Sequence, residues 1–287
     1  MRRFVQNIMI FIGIVIAFNC VVYYFAYKTY YNGYSVVPEK RFHSFVFSDS
    51  HGLPLAKYPE EYNVYNFSAG SESYFDIERK LLYLIENKYQ IDTVYVNVDD
   101  HMLSRYRDNN NNTDRSVFYL TKNNTDTFTY IQSKYITYYF VILQPKIRTI
   151  FRRFLLRSVA SIIHPELVKE EDWSTLSAEQ RVVKSEDRKN YQFSGQKSSE
   201  RLKISLENII SLSKEHNITL LGVKFPLAAS YMDVLGDANF GADKVLSDSG
   251  IRILDHKTAF ADQDGYFSNQ DHLNKQGGKV FSKILFE

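Results

Sequence analysis

The sequence predicts an α/β domain built on a parallel sheet and preceded by one membrane-spanning helix. Three observations predict it. Residues from about 41 to 103 alternate strand-like and helix-like patterns, the same grammar returns after Ser199, and the first thirty residues hold a long apolar run. A chain of 287 residues at 44% hydrophobic content has room for one large core and an accessory segment. Its formal net charge of +2 lacks the basic excess of nucleic-acid binders, so no nucleic-acid partner is expected.

The apolar run comes first. Met1-Arg2-Arg3 precedes a mostly apolar stretch from Phe4 to about Ala26, matching the roughly 20 residues needed to cross a bilayer. Lys28, Tyr30 and Tyr31 then supply an interfacial anchor. No small-x-small pattern ends the run, so residues 1–30 are expected to form an uncleaved signal anchor of a single-pass protein. Arg2 and Arg3 favour a cytoplasmic N-terminus and a C-terminal domain on the exported side, periplasmic or extracellular. The single Cys20 leaves no internal disulfide and no cysteine-based zinc site.

Residues 41–287 then read as one α/β domain. "FHSFVF" is a buried strand stopped at Ser48, and "YNVYNF" is a second strand followed by "SAGSES". "FDIERKLLYLIENK" places Ile77, Leu81, Leu84 and Ile85 at helical spacing, and "DTVYVNV" is a third strand ending at Asp99-Asp100-His101. A polar and basic helical insert, about 104–198, interrupts the domain. It opens with "RDNNNNTD" and "TKNNTDT", which are turn-rich loops. Beyond Pro145, Arg148, Arg152, Arg153 and Arg157 interleave with Ile147, Ile150, Phe151, Phe154 and Leu155. That pattern fits a helix lying in a membrane interface, and equally one covering the sheet with its arginines in water. Residues from about 167 to 195 read as a charged, loosely ordered connector. After Ser199, "SERLKISLENIISLSKEHN" is a helix, "ITLLGVKF" and "GIRILD" are strands, and "NKQGGKVFSKILF" is a closing helix.

Chemistry concentrates in "FSDSHG". Asp49 and His51 would open a metal site of the metallophosphoesterase kind, which needs further carboxylate, Asn and His ligands on successive strand ends. The second strand ends instead in Ser68-Ala69-Gly70-Ser71, with no carboxylate, and the spacing of Asp99, Asp100, His101, Asp255 and His256 does not match. Ser50 is the alternative, a strand-end hydroxyl nucleophile that needs a base and oxyanion donors from other strand-end loops.

The blocks Ser48-Asp49-Ser50, Asn66 with Gly70, Asn97-Val98-Asp99-Asp100 and Asp271-His272-Leu273-Asn274 come in an order that resembles the SGNH (GDSL-like) hydrolase superfamily. The closing "GYFSNQDHLNKQGGKVFSKIL" is similar to that of membrane-anchored relatives acting on cell-envelope glycans, including the DltD-like and alginate-acetylation proteins. The resemblance implies a flavodoxin-like three-layer fold with Ser50 as nucleophile and His272 as general base. It places Gly70, the Ser50 amide and Asn97 or Asn66 around the oxyanion. It requires no metal or dissociable cofactor. It implies acyl-ester hydrolysis or O-acetyl transfer on a cell-surface polysaccharide, at the membrane, beside a multi-pass membrane acyltransferase.

Three positions depart from the family pattern. Ser48 replaces Gly, which a tight turn tolerates. Asp99 replaces the usual Asn of the third block, and an ionised carboxylate cannot donate to an oxyanion, so it passes that role to Asn97, to Asn66 or to backbone amides. Asn269 stands three residues before His272 where the family has Asp; Asn269 or Asp271 is expected to orient the imidazole, with Asn269 the first choice because Asp271, adjacent to the histidine, is read as pointing elsewhere. His51 is read as a pocket-lining neighbour of the nucleophile. A non-catalytic SGNH-like glycan-binding or scaffolding protein is the competing reading.

Overall fold

A computed structural model describes residues 1–123, 125–144, 146–155, 173–193, 195 and 197–287, with Arg153 and Phe154 described by backbone alone. The chain divides into two compact units, Met1–Val37 with Thr113–Lys169, and Pro38–Asn112 with Glu170–Glu287.

The second unit is the α/β domain. Strands β1 (Ser44–Phe47), β2 (Val64–Asn66), β3 (Thr93–Asn97), β4 (Thr219–Lys224) and β5 (Ile253–Asp255) form one sheet in the order β2-β1-β3-β4-β5. Every neighbouring pair is parallel. Phe45, Val46 and Phe47 are all buried, as expected of a strand covered on both faces. Val46 joins Val223, Phe225, Phe281 and Leu285 in one core, while Phe45 and Phe47 pack against Tyr89 and Phe67. Neighbouring strands depart from β1 in opposite directions, to β2 on one side and β3 on the other. Such a reversal opens a crevice beyond the carboxyl ends of the strands, where Ser48–Ser50 and Val98–Asp100 emerge.

Two helices cover one another beside the sheet. The first is α2 (Tyr74–Glu86), which starts from a capping box between Ser73 and Asp76. In the other, Glu200–Glu215, Asn208 donates to Glu78 at 2.8 Å. The closing helix, Lys275–Phe286, is capped by Asn274, whose side chain accepts from Gly277 N at 2.9 Å. Two shorter helices, Ala229–Leu235 and Ala242–Asp248, follow β4. A small antiparallel hairpin, β6 (Phe267–Asn269) and β7 (His272–Leu273), precedes the closing helix.

The connector expected at about 167–195 is corrected where it is described. Trp173 is buried in the core with Phe225 and Phe260, and Ala178–Gln192 is a helix rather than loose chain. A Ser177/Gln180 capping box starts it, and Lys189 ties it to Val234 O at 2.7 Å. The part of the expected insert belonging to the other unit is therefore narrower than 104–198.

The first unit contains α1 (Arg2–Ala26), continued by a π-helical turn over Tyr27–Tyr31. This helix is long and apolar enough to cross a membrane. Tyr30 donates to Asp114 at 2.8 Å, Tyr119 donates to Tyr34 O at 2.7 Å, and Val22, Ala26, Tyr31, Tyr138, Val141 and Ile150 share a core. A helix covers Ile147–Leu155; the reading that extended it to Arg157 lies partly outside the described residues.

Candidate active site

The turn after β1 is built by Asp49. Its side chain caps the 3-10 helix Ser50–Leu55, accepting from His51 N at 3.0 Å and Asn97 Nδ2 at 3.1 Å on one oxygen. Its other oxygen faces His101 Nε2 and Arg107 Nη2, each at 3.2 Å. A buried carboxylate with three hydrogen-bond donors and a guanidinium beside it is an anchored anion. Burial acts to raise its pKa, yet the His51, Arg107 and His101 interactions hold it well below the ordinary carboxylate range.

Anchoring Asp49 presents Ser50 to the crevice. Ser50 Oγ lies 2.7 Å from His272 Nε2, across 222 residues of sequence. At the far side of that ring, His272 Nδ1 lies 2.9 Å from both Asn269 Oδ1 and Asp271 Oδ1. With Nδ1 protonated, the ring donates to those oxygens and Nε2 accepts from the Ser50 hydroxyl, the tautomer that a serine nucleophile needs. The expectation that Asp271 points elsewhere is corrected. The β6/β7 hairpin pairs Asn269 with His272 across an irregular register, and Asn269 Oδ1 also accepts Asp271 N at 3.2 Å, folding Asp271 back onto the ring.

Asp271 is 1% exposed, so its second oxygen also needs partners. Arg188 Nε donates to it at 2.7 Å and Gln192 Nε2 at 3.0 Å, both from the Ala178–Gln192 helix. His51 Nε2 faces it at 3.3 Å. Against burial, which acts to raise it, the adjoining His272, His51 and Arg188 hold this carboxyl well below its ordinary range. Arg188 and Gln192 were missed by sequence reasoning. Their signal is four-residue spacing on one face of a helix whose capping box, Ser177 to Gln180, is visible in the sequence.

His51 lies inside this lattice, with Nδ1 2.5 Å from Asp99 Oδ2 and its ring edge-on to His272 at 4.8 Å between centroids. Burial acts to lower its pKa, but Asp49, Asp99 and Asp271 hold it well above the ordinary histidine value. Asp99 is not aimed at an oxyanion. One oxygen meets His51 and the other accepts Phe225 N at 2.8 Å, tying the end of β3 to the end of β4.

Two expected oxyanion donors are placed elsewhere. Asn97 donates to Ser48 Oγ and Asp49 Oδ1, both at 3.1 Å, which uses both amide hydrogens. Asn66 donates to Gly52 O at 2.9 Å and Ala56 O at 3.3 Å, bracing the Ser50 helix from beneath. Gly70 sits in the turn after β2, its carbonyl accepting from Asn112 Nδ2 at 3.0 Å. Among the described residues a Cβ there would meet only Leu53 Cδ1, at 3.7 Å, and the positive φ of this turn belongs to Ser71. The Ser50 N–H is first in its 3-10 helix and has no acceptor among the described residues, as helix-starting amides lack one by construction.

The grouping of Asp49, His51 and His101 has the composition of a metal site. Its donor chemistry argues otherwise. A guanidinium already stands 3.2 Å from Asp49, and both ring nitrogens of His51 already face carboxylates, Nδ1 at Asp99 and Nε2 at Asp271. The same His51, with both nitrogens engaged, belongs to the second grouping, with Asp271 and His272. No family model matches the chain, and comparison with curated proteins finds no match either.

Proposed function

We propose that this chain is an SGNH-like serine acyl-ester hydrolase or O-acyltransferase, anchored by α1 with its α/β domain on the exported side, acting on a cell-surface polysaccharide. The supporting observation is the 2.7 Å contact between Ser50 and His272 Nε2, backed by Asp271 and Asn269 at 2.9 Å. The strand order β2-β1-β3-β4-β5 is that of flavodoxin-like sheets, in agreement with the fold this reading requires.

In the proposed reaction, Ser50 Oγ attacks the acyl carbonyl carbon while its proton passes to His272 Nε2. Asp271 and Asn269 accept from Nδ1–H and steady the imidazolium, and the carbonyl oxygen becomes an oxyanion facing the Ser50 amide and the Gly70 turn. The tetrahedral species collapses, His272 returns the proton to the leaving oxygen, and an acyl-Ser50 ester remains. Water, or a sugar hydroxyl of the acceptor, then attacks that ester with His272 again as base. No cofactor takes part in these steps. The resemblance to envelope-modifying proteins supports a multi-pass membrane acyltransferase as the acyl source.

A second reading, a catalytically degenerate SGNH-like glycan-binding or scaffolding protein, draws on one observation: the amides of Asn97 and Asn66 are both committed elsewhere, leaving oxyanion stabilisation to the backbone. Labelling with a fluorophosphonate decides between them. The first reading expects label on the wild type and none on Ser50→Ala; absence of label on well-folded wild type selects the second.

A further inference from the structure

The helix Ile147–Leu155 presents two kinds of surface. Ile150 is 3% exposed, in the core shared with Val22, Ala26, Tyr30 and Tyr31, so the helix packs on the C-terminal end of α1. That is where the apolar run of α1 passes into Tyr23, Tyr24, Tyr27 and Lys28, the composition of a membrane–water boundary. One turn apart on the neighbouring row, Phe151 and Leu155 remain 43% and 54% exposed. The adjoining row carries Arg148 and Arg152, both exposed, and the described helix has no acidic residue. Between Phe151 and the stretch Phe18–Ala26 of α1 runs an apolar groove of about 230 Å³.

Two large apolar side chains beside two guanidiniums, at the boundary end of a helix of membrane-spanning length, match one occupant. Hydrocarbon would cover Phe151, Leu155 and the groove. The arginines, with long stems that follow apolar surface while their heads seek anions, would reach lipid phosphates. We propose that this helix lies in the bilayer interface as a binding surface for anionic lipid, an acyl chain occupying the α1 groove and phosphate headgroups meeting Arg148 and Arg152. The proposal is independent of the serine chemistry.

The test uses the full chain with Cys20→Ser, reconstituted in phosphatidylcholine vesicles with and without phosphatidylglycerol. An environment-sensitive fluorophore is placed at Phe151→Cys, Leu155→Cys or, as the polar-face control, Thr149→Cys. Doxyl-lipid quenching several-fold stronger at the first two positions than at the third is expected, with the reverse order for aqueous iodide. The double variant Arg148→Gln/Arg152→Gln is expected to lose the spectral change that phosphatidylglycerol produces. Iodide access at Phe151→Cys and Leu155→Cys equal to that at Thr149→Cys would overturn the proposal. So would shielding from both quenchers, which signals a protein occupant, or loss of the chain from vesicles in alkaline carbonate.

Discussion

At the scale of single residues, the candidate site turns on which side chain serves His272. Asn269 holds the position three residues upstream and does reach the ring, at 2.9 Å. Asp271 reaches the same nitrogen at the same distance and alone brings charge. The amide is expected to orient the ring and the carboxylate to stabilise its protonated state. Fluorophosphonate labelling of Ser50 should therefore slow about 10²- to 10⁴-fold in Asp271→Asn, the scale of losing the anion in a hydrolytic triad, and only several-fold in Asn269→Ala. Equal effects would refute this division of labour. Arg188 is a positioning residue for Asp271, so Arg188→Met should slow labelling of Ser50 and Arg188→Lys should largely restore it. The spacing of Ser50, Asn97 and His272 in the chain was enough to nominate the nucleophile and base. It could not show that Asn97 is spent on Ser48 and Asp49, because that depends on where β3 ends relative to β1.

At the scale of elements, the Ser50 helix and the closing helix must touch for Ser50 and His272 to meet. Glycine makes that possible. A Cβ on Gly278 would stand 2.0 Å from Pro54 O, inside the Ser50 helix, and one on Gly277 would stand 2.3 Å from Tyr266 O. Gly278→Ala is expected to cost about 1–3 kcal/mol of stability, the range for overpacking a close contact, and to weaken Ser50 labelling by parting the two helices. Gly70→Ala, facing only Leu53 Cδ1 among the described residues, should leave the melting temperature within about 2 °C of wild type, equivalent to at most about 0.5–1 kcal/mol. Thermal melts of the two variants side by side check both statements. The "NKQGGKVFSKILF" run signalled a closing helix; that its glycines were also contact points was invisible without Pro54 in view.

For the whole molecule, the lattice of buried Asp49, Asp99, Asp271, His51 and Arg107, with half-buried Arg188 at its edge, links stability to pH. His51 is raised in the fold, so its contribution is fully present below the unfolded value of about 6.5 and is lost as pH rises through the folded value. Asp49 and Asp271 are depressed, so theirs is fully present above about 3.9 and lost as pH falls through their folded values. The melting-temperature lead of wild type over His51→Asn should thus be largest between about pH 4 and 6.5 and narrow on going alkaline. A lead that stays constant or grows above that window would count against a protonated His51.

Alternation and apolar runs are local properties, which is why the sequence alone determined the parallel α/β grammar, the long apolar helix and the order of the polar strand-end blocks. Whether residues 173–192 join the core is not a local property. Trp173 and the Arg188/Gln192 face find their partners about 80 to 90 residues downstream, at Phe260 and Asp271. Only tertiary packing could therefore turn an expected connector into the wall of the candidate site. It also brought Asp271, rather than Asn269 alone, to the imidazole, because a buried carboxylate must gather its donors from whichever elements the fold places around it.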